Sequence, residues 1–520
     1  MERVFARRAA WLAALVVLAA GMLVAATFPD AADYRGAADE GAYYRQGRTL
    51  VEEGVFAGYA RIAHEYLASP AQQDFPDPLR VGTIAAAATA LAFADSYRAL
   101  SWVSLTAYLL LLVAVWRFAR RRWPAGQAVL ALVFVAASPL ALGMARRALM
   151  DSLACLFAAL SLFAFVRLLE QGGRRALAVF ALATTAAILV KETAVLLLPF
   201  YTIVLVYSRL RGGITLSWWR IAAAVLLPPL LALVVYGVLY GPREVVEIAA
   251  IVRREAATQA PYLAFSEGPW NRYLVDFTAL SPFVLLLAAM YLGYAVRSGA
   301  DRALVVVAVL AAYLLAAYAP LTKSARYLLL FDVCLRLLAA AMVMRLPELL
   351  RRFARPRPAG LVAATFVAAL VIASDAAAYR RYFVAGGVYD PVTYALLRVD
   401  RMVPAIAADA TQAAGIAEAR RAVQSTPDAD HYVELAYRYC AADEPLECRW
   451  ASLEALRLAP DDARAHNDLC AAYNGLHAWN DAVAECREAL RLRPDYALAR
   501  NNLDWALSQA AKEGSAPASH

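Results

Sequence analysis

The chain has 520 residues, of which 62% are hydrophobic, and it carries a formal net charge of +8. A soluble protein of this length is usually about half apolar. Here the apolar residues form blocks of about 15 to 24, the length that crosses a bilayer core of roughly 30 Å. The composition therefore excludes a soluble globular enzyme and indicates a polytopic membrane protein. Most arginines lie between the apolar blocks, as the positive-inside rule expects, so the net charge does not indicate nucleic-acid binding.

The apolar blocks predict an all-α bundle of membrane-spanning helices. The first block follows three arginines and resembles a signal peptide, but it is long enough to span, and we interpret it as an uncleaved anchor. The segment 79–94 is shorter than a full span, and we expect an interfacial or re-entrant helix there. The sequence then predicts eleven spans, at 10–28, 97–118, 126–143, 151–168, 176–190, 193–208, 216–240, 274–296, 303–319, 327–344 and 359–375.

Arginine clusters between the spans indicate the orientation. The clusters at 120–122, 174–175 and 345–357 all fall on the same side as the N-terminus, which the positive-inside rule makes the cytoplasmic side. Eleven spans then place the C-terminal region outside. The Ala- and Arg-rich composition is typical of a GC-rich bacterium, so we expect a multi-pass inner-membrane protein whose C-terminal region is periplasmic.

Two adjacent carboxylates, Asp39 and Glu40, follow the first span, with Tyr43 and Tyr44 shortly behind them. A carboxylate at a membrane exit can act as a general base that takes a proton from an acceptor hydroxyl. The alternative is an exposed acidic pair that caps a helix N-terminus, where negative charge is favourable. Spacing alone leaves both interpretations open.

Further ionisable residues are predicted at the external ends of later spans, where such residues are functional candidates. Asp151 is a candidate contact to acceptor, donor sugar or metal, or the partner of Arg147 in a structural ion pair. The cations would hold a phosphate, which guanidinium matches in a bidentate fork, or simply extend to the interface. The candidate phosphate-binding residues are Arg146, Lys191, Arg272, Lys323 and Arg326.

Aromatic residues accompany these charges at Trp270, Tyr273 and Tyr327. They are typical of an interfacial aromatic belt. With Tyr43 and Tyr44 they are also candidates for the wall of a donor or acceptor pocket.

The C-terminal region is polar and repeats with a period of 34 residues, since Glu454–Leu458 recurs as Glu488–Leu492. This is the tetratricopeptide period, and stacked helix pairs of this kind form an α-solenoid with a concave binding surface. A generic helical tail is the alternative. The predicted domains are a membrane domain over 1–376, a helical linker over 377–426, tetratricopeptide-like repeats over 427–508 and a disordered tail over 509–520.

Four cysteines lie in the repeats. Cys440 and Cys448 flank a short turn, and Cys470 and Cys486 lie on the two arms of one predicted helix hairpin. Both pairs could form disulfides in an oxidising compartment. Spacing does not determine connectivity, and free buried thiols are an equal alternative.

The order of the motifs resembles that of the GT-C glycosyltransferases, in the branch of the dolichyl-phosphate-mannose protein mannosyltransferases and the bacterial aminoarabinose transferase of lipid A. The resemblance covers about residues 10 to 345. The motifs that carry it are Asp39-Glu40 after one span, Pro76–Leu79, Ser138-Pro139, the turn ending at Asp151, Lys191-Glu192, the loop Gly268–Tyr273 and the turn Lys323–Tyr327.

The resemblance implies a polyprenyl-phosphate sugar as donor, an external active site and inversion at the anomeric carbon. It implies Asp39 as catalytic base, Asp151 as a second site carboxylate, and Lys191 and Arg326 as phosphate ligands. The chain departs from the family at Asp77, where His-Pro-Pro-Leu is common, so the role of that His is absent or filled otherwise. No dense carboxylate cluster is visible, so we expect no cofactor and do not favour a metal.

We therefore predict a membrane glycosyltransferase, transferring a hexosyl or pentosyl group, that contacts membrane lipid, an acceptor of unknown identity and a protein partner through the repeats. A non-catalytic scaffold that presents the repeats is the alternative. A secondary transporter is a third class. It would show internal repeats of the membrane part and charges near mid-span, and we identify neither in the sequence.

Overall fold

The computed structural model describes residues 2–29, 38–68, 76–258, 271–298, 301–320, 324–350, 357–385, 415–416 and 418–515. These residues form helices and turns without a β-strand, which confirms the all-α class. The helices of the membrane part are α1 Glu2–Ala26, α2 Ala38–Glu53, α3 Val55–Ala68, α4 Val81–Phe93, α5 Tyr97–Arg120, α6 Ala125–Ala136, α7 Pro139–Ala145, α8 Asp151–Gln171, α9 Arg174–Val190, α10 Leu197–Leu210, α11 Trp218–Tyr240, α12 Pro242–Thr258, α13 Arg272–Leu280, α14 Pro282–Ser298, α15 Arg302–Tyr318, α16 Leu329–Leu350 and α17 Arg357–Ala378. Short 3₁₀ helices at Glu192–Leu196 and Ala325–Leu328 precede α10 and α16, and a π-helix at Tyr379–Ala385 follows α17.

Every predicted span coincides with a helix or a bent helix pair. Within the described ranges, seven helices are long and apolar enough to cross a membrane, and two bent pairs raise the number to nine. The other two predicted spans are α9 and α15, with 17 residues each. At 1.5 Å per residue each is about 25 Å long, which falls short of a bilayer core of roughly 30 Å. The count of eleven, and the orientation that depends on it, stay predictions.

The segment expected to be interfacial or re-entrant forms the short helix α4, of 13 residues. It packs against α2, the helix that carries Asp39 and Glu40. The expectation that this segment lies beside the acidic stretch is therefore confirmed.

The two bent pairs break at a Ser-Pro step. The axis turns by 61° between α6 and α7, at Ser138-Pro139, and by 115° between α13 and α14, at Ser281-Pro282. Proline has no N–H to continue the helical ladder, and it disfavours helical backbone at the residue before it. Each break has a buried serine at the bend, Ser138 or Ser281.

Both serines bind a buried charge network on α16 and α17. Arg336 has no exposed surface, and its guanidinium donates to Asp332 at 2.9 Å and to Asp375 at 2.6 Å. Ser138 Oγ donates to Asp332 at 2.6 Å, and Ser281 Oγ, which donates to Asp375 at 2.8 Å, accepts from Arg336 at 2.7 Å. The sequence-based statement that charges near mid-span are absent is therefore wrong. Arg336 lies four residues after Asp332 on α16, so the two side chains bond to each other within one helix. Each charge is therefore satisfied.

The C-terminal helices are α18 Ala429–Ala441, α19 Pro445–Leu458, α20 Ala463–Gly475, α21 Trp479–Leu492 and α22 Ala497–Ser515. The first helices of successive pairs begin at Ala429, Ala463 and Ala497, so the 34-residue period is present in the helix boundaries. Each helix packs on the next, and each first helix packs on the first helix of the next pair. This is the stacking expected of helical repeats. Membership of the tetratricopeptide family and the domain boundaries stay predictions.

Each complete helix pair contains one disulfide. Cys440 is bonded to Cys448, and Cys470 to Cys486, with Cα atoms 5.1 and 5.3 Å apart. The cysteine spacing left disulfides and free buried thiols open, and the structure has the disulfides.

Replacing Arg336 with Met should strongly destabilise the protein. The substitution keeps much of the volume but leaves Asp332 and Asp375 buried without their cation, and breaking a buried pair in this way typically costs about 3–5 kcal/mol. Arg345→Met is the matched control, since Arg345 lies on the same helix, is 50% exposed and pairs with Glu348 at 3.3 Å. Thermal unfolding in detergent should show a large drop for the first variant and little change for the second. Equal midpoints would contradict a structural role for the network.

Candidate active site

Four charged residues from separate parts of the chain meet at one place, and we call them the charge cluster: Asp39, Asp151, Lys191 and Arg326. Arg326 Nη1 donates to Asp39 Oδ2 at 2.7 Å and lies 3.9 Å from Asp151 Oδ2. Lys191 Nζ donates to Asp151 Oδ1 at 2.7 Å. Carboxylates and cations therefore alternate through the cluster, and its formal charge is zero.

Helix starts hold the two carboxylates. Asp39 lies in the first turn of α2, and Asp151 is the first residue of α8. The N-terminal end of a helix stabilises negative charge. The residue before Asp151, Met150, has φ of 62°, a left-handed conformation that side-chain-bearing residues seldom adopt. This strained residue ends the turn after α7 and directs the chain into α8.

Asp39 is the most accessible member of the cluster. Its side chain is 21% exposed, whereas that of Asp151 is 5% exposed. Both cations lie near the ring of Tyr327, with Lys191 Nζ 5.1 Å and Arg326 Cζ 5.3 Å from its centroid. A cation at this range of an aromatic face is attracted by the ring. Tyr327 thus helps to hold the two cations side by side.

Glu40 serves a different purpose from its neighbour. It is fully buried, accepts two bonds from the Arg147 guanidinium at 2.8 and 2.7 Å, and accepts a third from Ala148 N at 2.8 Å. This bidentate pair fastens the start of α2 to the turn before Asp151. Glu40 therefore links the start of the Asp39 helix to the turn before Asp151, and the catalytic role predicted for it stays a prediction.

A second buried ion pair lies beside the cluster and was not anticipated. Arg80 donates to both carboxylate oxygens of Glu192, at 2.7 and 2.9 Å, and to Tyr43 Oη at 2.9 Å. Burial raises the pKa of Tyr43 above its usual range, although Arg80 opposes the shift, so its phenol stays protonated and can accept from Arg80. A single arginine before an apolar segment looks like an interfacial residue, so its pairing with Glu192 cannot be recognised from the sequence.

Other predicted phosphate and pocket residues contact further segments of the membrane part. Arg146 donates to the main-chain carbonyls of Thr27 and Phe383 and so ties the end of α1 to the π-helix. Arg272 and Tyr273 are buried at the start of α13, where Tyr273 Oη accepts from Ser324 N at 3.3 Å, two residues before Arg326. Phosphate or pocket roles for these residues stay predictions.

Tyr44 lies apart from the charge cluster. It donates to Asp95 at 2.5 Å and stacks on Tyr97 with ring centroids 4.4 Å apart. Trp270 and Lys323 lie outside the described residues. Among the residues that are described, no group of three or more His, Cys, Asp or Glu side chains is placed to hold a metal ion. Metal dependence therefore stays a prediction.

A protein-family model described as dolichyl-phosphate-mannose-protein mannosyltransferase matches residues 77–236. The match includes Asp151 and Lys191 but covers less than half of the chain. No curated protein matches the sequence.

Solved structures with similarity to this chain include two of ArnT from Cupriavidus metallidurans. The apo state is 16% identical, with a TM-score of 0.44, covering 92% of this chain and 77% of that one. The state bound to undecaprenyl phosphate is 15% identical, with a TM-score of 0.44, covering 96% and 78%. The TPR domain of P58(IPK) is 12% identical, with a TM-score of 0.20, covering 78% and 99%. These values are too low to transfer a function.

Substituting Asp77 should alter how stability depends on pH. Asp77 is fully buried, and burial together with nearby Glu192 raises the pKa of its carboxyl to about 7, against the opposing effect of Arg80. The folded protein therefore retains a proton that the unfolded chain, with a pKa of about 4, releases. Stability should fall as pH rises between about 4 and 7. Asp77→Asn removes this contribution and keeps the oxygen that accepts from Leu79 N.

The measurement is the thermal unfolding midpoint in detergent at pH 5 and pH 8. The decrease between these pH values should be smaller for Asp77→Asn than for the wild type. Asp468 in the repeats, whose pKa burial also raises to about 7, contributes equally to both proteins. Asp95→Asn, at an exposed carboxylate, is the control and should follow the wild type. Identical decreases in all three proteins would show that Asp77 is ionised throughout.

Proposed function

We propose that this protein is an integral-membrane glycosyltransferase that moves a sugar from a polyprenyl-phosphate donor onto an acceptor hydroxyl at the external face of the membrane. The observation that carries the proposal is the charge cluster. It combines an accessible carboxylate, Asp39, with two adjacent cations at the ends of apolar helices. The family match over residues 77–236, which includes Asp151 and Lys191, supports the same reaction class.

Lys191 and Arg326 bind the donor phosphate in this mechanism. Negative charge develops on the phosphate as the glycosidic bond breaks, and preorganised cations stabilise that charge. The guanidinium can hold two phosphate oxygens at once, and the ammonium acts as a point charge beside it. The Tyr327 ring keeps both cations at one wall.

Asp39 is the general base. It accepts the proton of the acceptor hydroxyl while the acceptor oxygen attacks the anomeric carbon from the face opposite the phosphate. The bond between the anomeric carbon and the phosphate oxygen breaks, and polyprenyl phosphate leaves. The configuration at the anomeric carbon is thereby inverted.

The ion pair between Arg326 and Asp39 couples donor binding to activation of the base. In the structure Arg326 Nη1 lies 2.7 Å from Asp39 Oδ2. A donor phosphate competes with the Asp39 carboxylate for this guanidinium. Donor binding therefore releases Asp39 for proton transfer. Asp151 stays paired with Lys191 at 2.7 Å and keeps that ammonium in position.

A membrane scaffold that presents the helical repeats to a partner is the second candidate function. The observation in its favour is the regular stack formed by α18 to α22, with one disulfide in each complete helix pair. A scaffold leaves the partly accessible Asp39 and its paired cations without a purpose, so we favour the enzyme.

Asp39→Asn should abolish sugar transfer. The substitution keeps size and hydrogen bonding but removes the base, and we expect a loss of more than about a hundredfold. The assay is transfer from radiolabelled polyprenyl-phosphate sugars in membranes that contain the wild type or the variant. Asp495→Asn is the matched control, because Asp495 is an aspartate in the repeats with an 84% exposed side chain.

Full activity in Asp39→Asn would remove this residue from the chemistry and transfer the role of base to Asp151. A wild type that transfers sugar from none of a panel of donors would favour the scaffold.

A further inference from the structure

The helical repeats dock directly on the helix that carries Asp39. A Cβ atom added at Gly41 would lie 2.3 Å from Nε1 and 2.6 Å from Cδ1 of Trp450, so the indole lies against the backbone of α2 two residues after Asp39. Trp450 is 1% exposed, and its ring packs edge-on against Tyr432 in the core of the first helix pair. A glycine at position 41 permits this approach, and any larger residue would push the helices apart.

One face of α19 lines a cavity, and residues of α2 and α3 line the opposite wall. Trp450, Leu453, Glu454 and Arg457 are spaced three or four residues apart, which places them on the same side of the helix. Leu453, Glu454 and Arg457 line a cavity of about 680 Å³, a size within the range of ligand-binding pockets. The opposite wall belongs to the membrane part and includes Ala42, Tyr44, Gln46, Thr49, Arg61 and Glu65.

The cavity is lined by residues of α2, the helix that carries the proposed base. Ala42 lies three residues after Asp39, which is about 4.5 Å along the helix and on the same side of it. The repeat helices that close the cavity are not among the apolar helices that could span a membrane. An acceptor can therefore approach Asp39 from the aqueous side, while the prenyl chain of the donor stays among the apolar helices.

The chemistry of the walls favours a neutral ligand. The charged side chains are largely matched to one another, with Arg61 bound to Glu65 at 2.7 Å and Arg457 bound to Glu454 at 3.1 Å. A ligand with a large net charge would have to break such pairs. A prenyl or acyl chain would have to cover them, and burying a charge against hydrocarbon is costly.

One wall group still needs a hydrogen-bond donor. Gln46 donates through Nε2 to Pro76 O at 3.1 Å, but its Oε1 is buried and accepts no hydrogen bond from the described residues. A buried amide oxygen without a donor costs free energy until a donor arrives. A ligand hydroxyl at this point would supply it. The paired carboxylates and guanidinium groups can accept from and donate to further hydroxyls, and Tyr44 adds an aromatic wall.

We infer that this cavity is the acceptor site, and that the acceptor is a neutral, hydroxyl-rich saccharide bound between the first repeat and α2. The inference rests on the proposed glycosyl transfer and names the substrate of that same site. The acceptor hydroxyl gives its proton to Asp39, its oxygen bonds to the anomeric carbon of the donor sugar, and polyprenyl phosphate leaves with the electron pair of the broken bond.

Leu453→Trp tests the inference by filling the cavity from the repeat side. Transfer from radiolabelled polyprenyl-phosphate sugar in membranes should fall at least tenfold, with an unchanged KM for the donor. Thr49→Trp fills the same cavity from the opposite wall and should behave in the same way. Leu458→Trp is the matched control, since Leu458 lies on the same helix, is 40% exposed and lies outside the cavity lining. It should keep wild-type activity and a wild-type unfolding midpoint.

The labelled product identifies the acceptor class. It should survive proteinase K treatment and remain in the aqueous phase on extraction with organic solvent, as a saccharide would. Asp39-dependent transfer that is unchanged in both cavity-filling variants would overturn the inference and leave the proposed function intact. A product destroyed by the protease would overturn the saccharide, and a product that partitions into organic solvent would show a lipid acceptor. Absence of transfer in the wild type would overturn the proposed function and the inference together.

Discussion

The architecture depends on one guanidinium in the middle of the bundle. Arg336 has no exposed surface, so its charge must be matched by protein groups rather than by water. Two carboxylates and the carbonyl of Phe134 meet that need, and two serines complete the hydrogen bonds. Both serines lie where their helices bend. The requirement to pair one arginine therefore coincides with the two bent helix pairs among the described residues of the membrane part.

These irregularities shape the site. The break at Ser138 starts α7, which leads through a turn to Asp151, and the break at Ser281 turns α13 so that Tyr273 reaches the backbone of Ser324. Arg326 lies ten residues before Arg336, close to the start of the same helix. A long, buried α16 thus carries a structural cation in its interior, and the 3₁₀ helix that precedes it carries a site cation. Arg336 stabilises the packing of the bundle, and this packing positions Arg326 at the site.

The site itself is organised by charge balance. Two carboxylates neutralise two cations in the cluster, and two further buried pairs, Arg147 with Glu40 and Arg80 with Glu192, surround it. Buried ions left unpaired would be strongly destabilising, so each is held by an opposite charge. An anionic ligand can enter such a site only by exchanging places with a carboxylate. Asp39 is suited to that exchange because it is the most exposed carboxylate of the cluster.

Much of this arrangement could be predicted from the sequence. Apolar segments of spanning length located the helices, and an ordered set of short motifs pointed to Asp39, Asp151, Lys191 and Arg326, which the structure brings together. Pairings between distant residues could not be predicted. Arg80 and Glu192 are separated by 112 positions, and nothing in hydrophobic periodicity indicates which charge meets which. Arg336 was overlooked because its neighbours are apolar, and a satisfied internal charge looks like part of an ordinary span.

The contact between Gly41 and Trp450 also has a consequence for biosynthesis. The two residues lie near opposite ends of the chain, so the contact cannot form until almost all of the protein has been synthesised and inserted. Contacts of high sequence separation form late and slowly, since a long loop must close first. The helix that carries Asp39 therefore lacks its contact with Trp450 while the membrane helices assemble. A chain truncated before the repeats would keep its apolar helices but lack the last wall of the cavity, so the cavity can form only after the chain has been synthesised as far as Arg457.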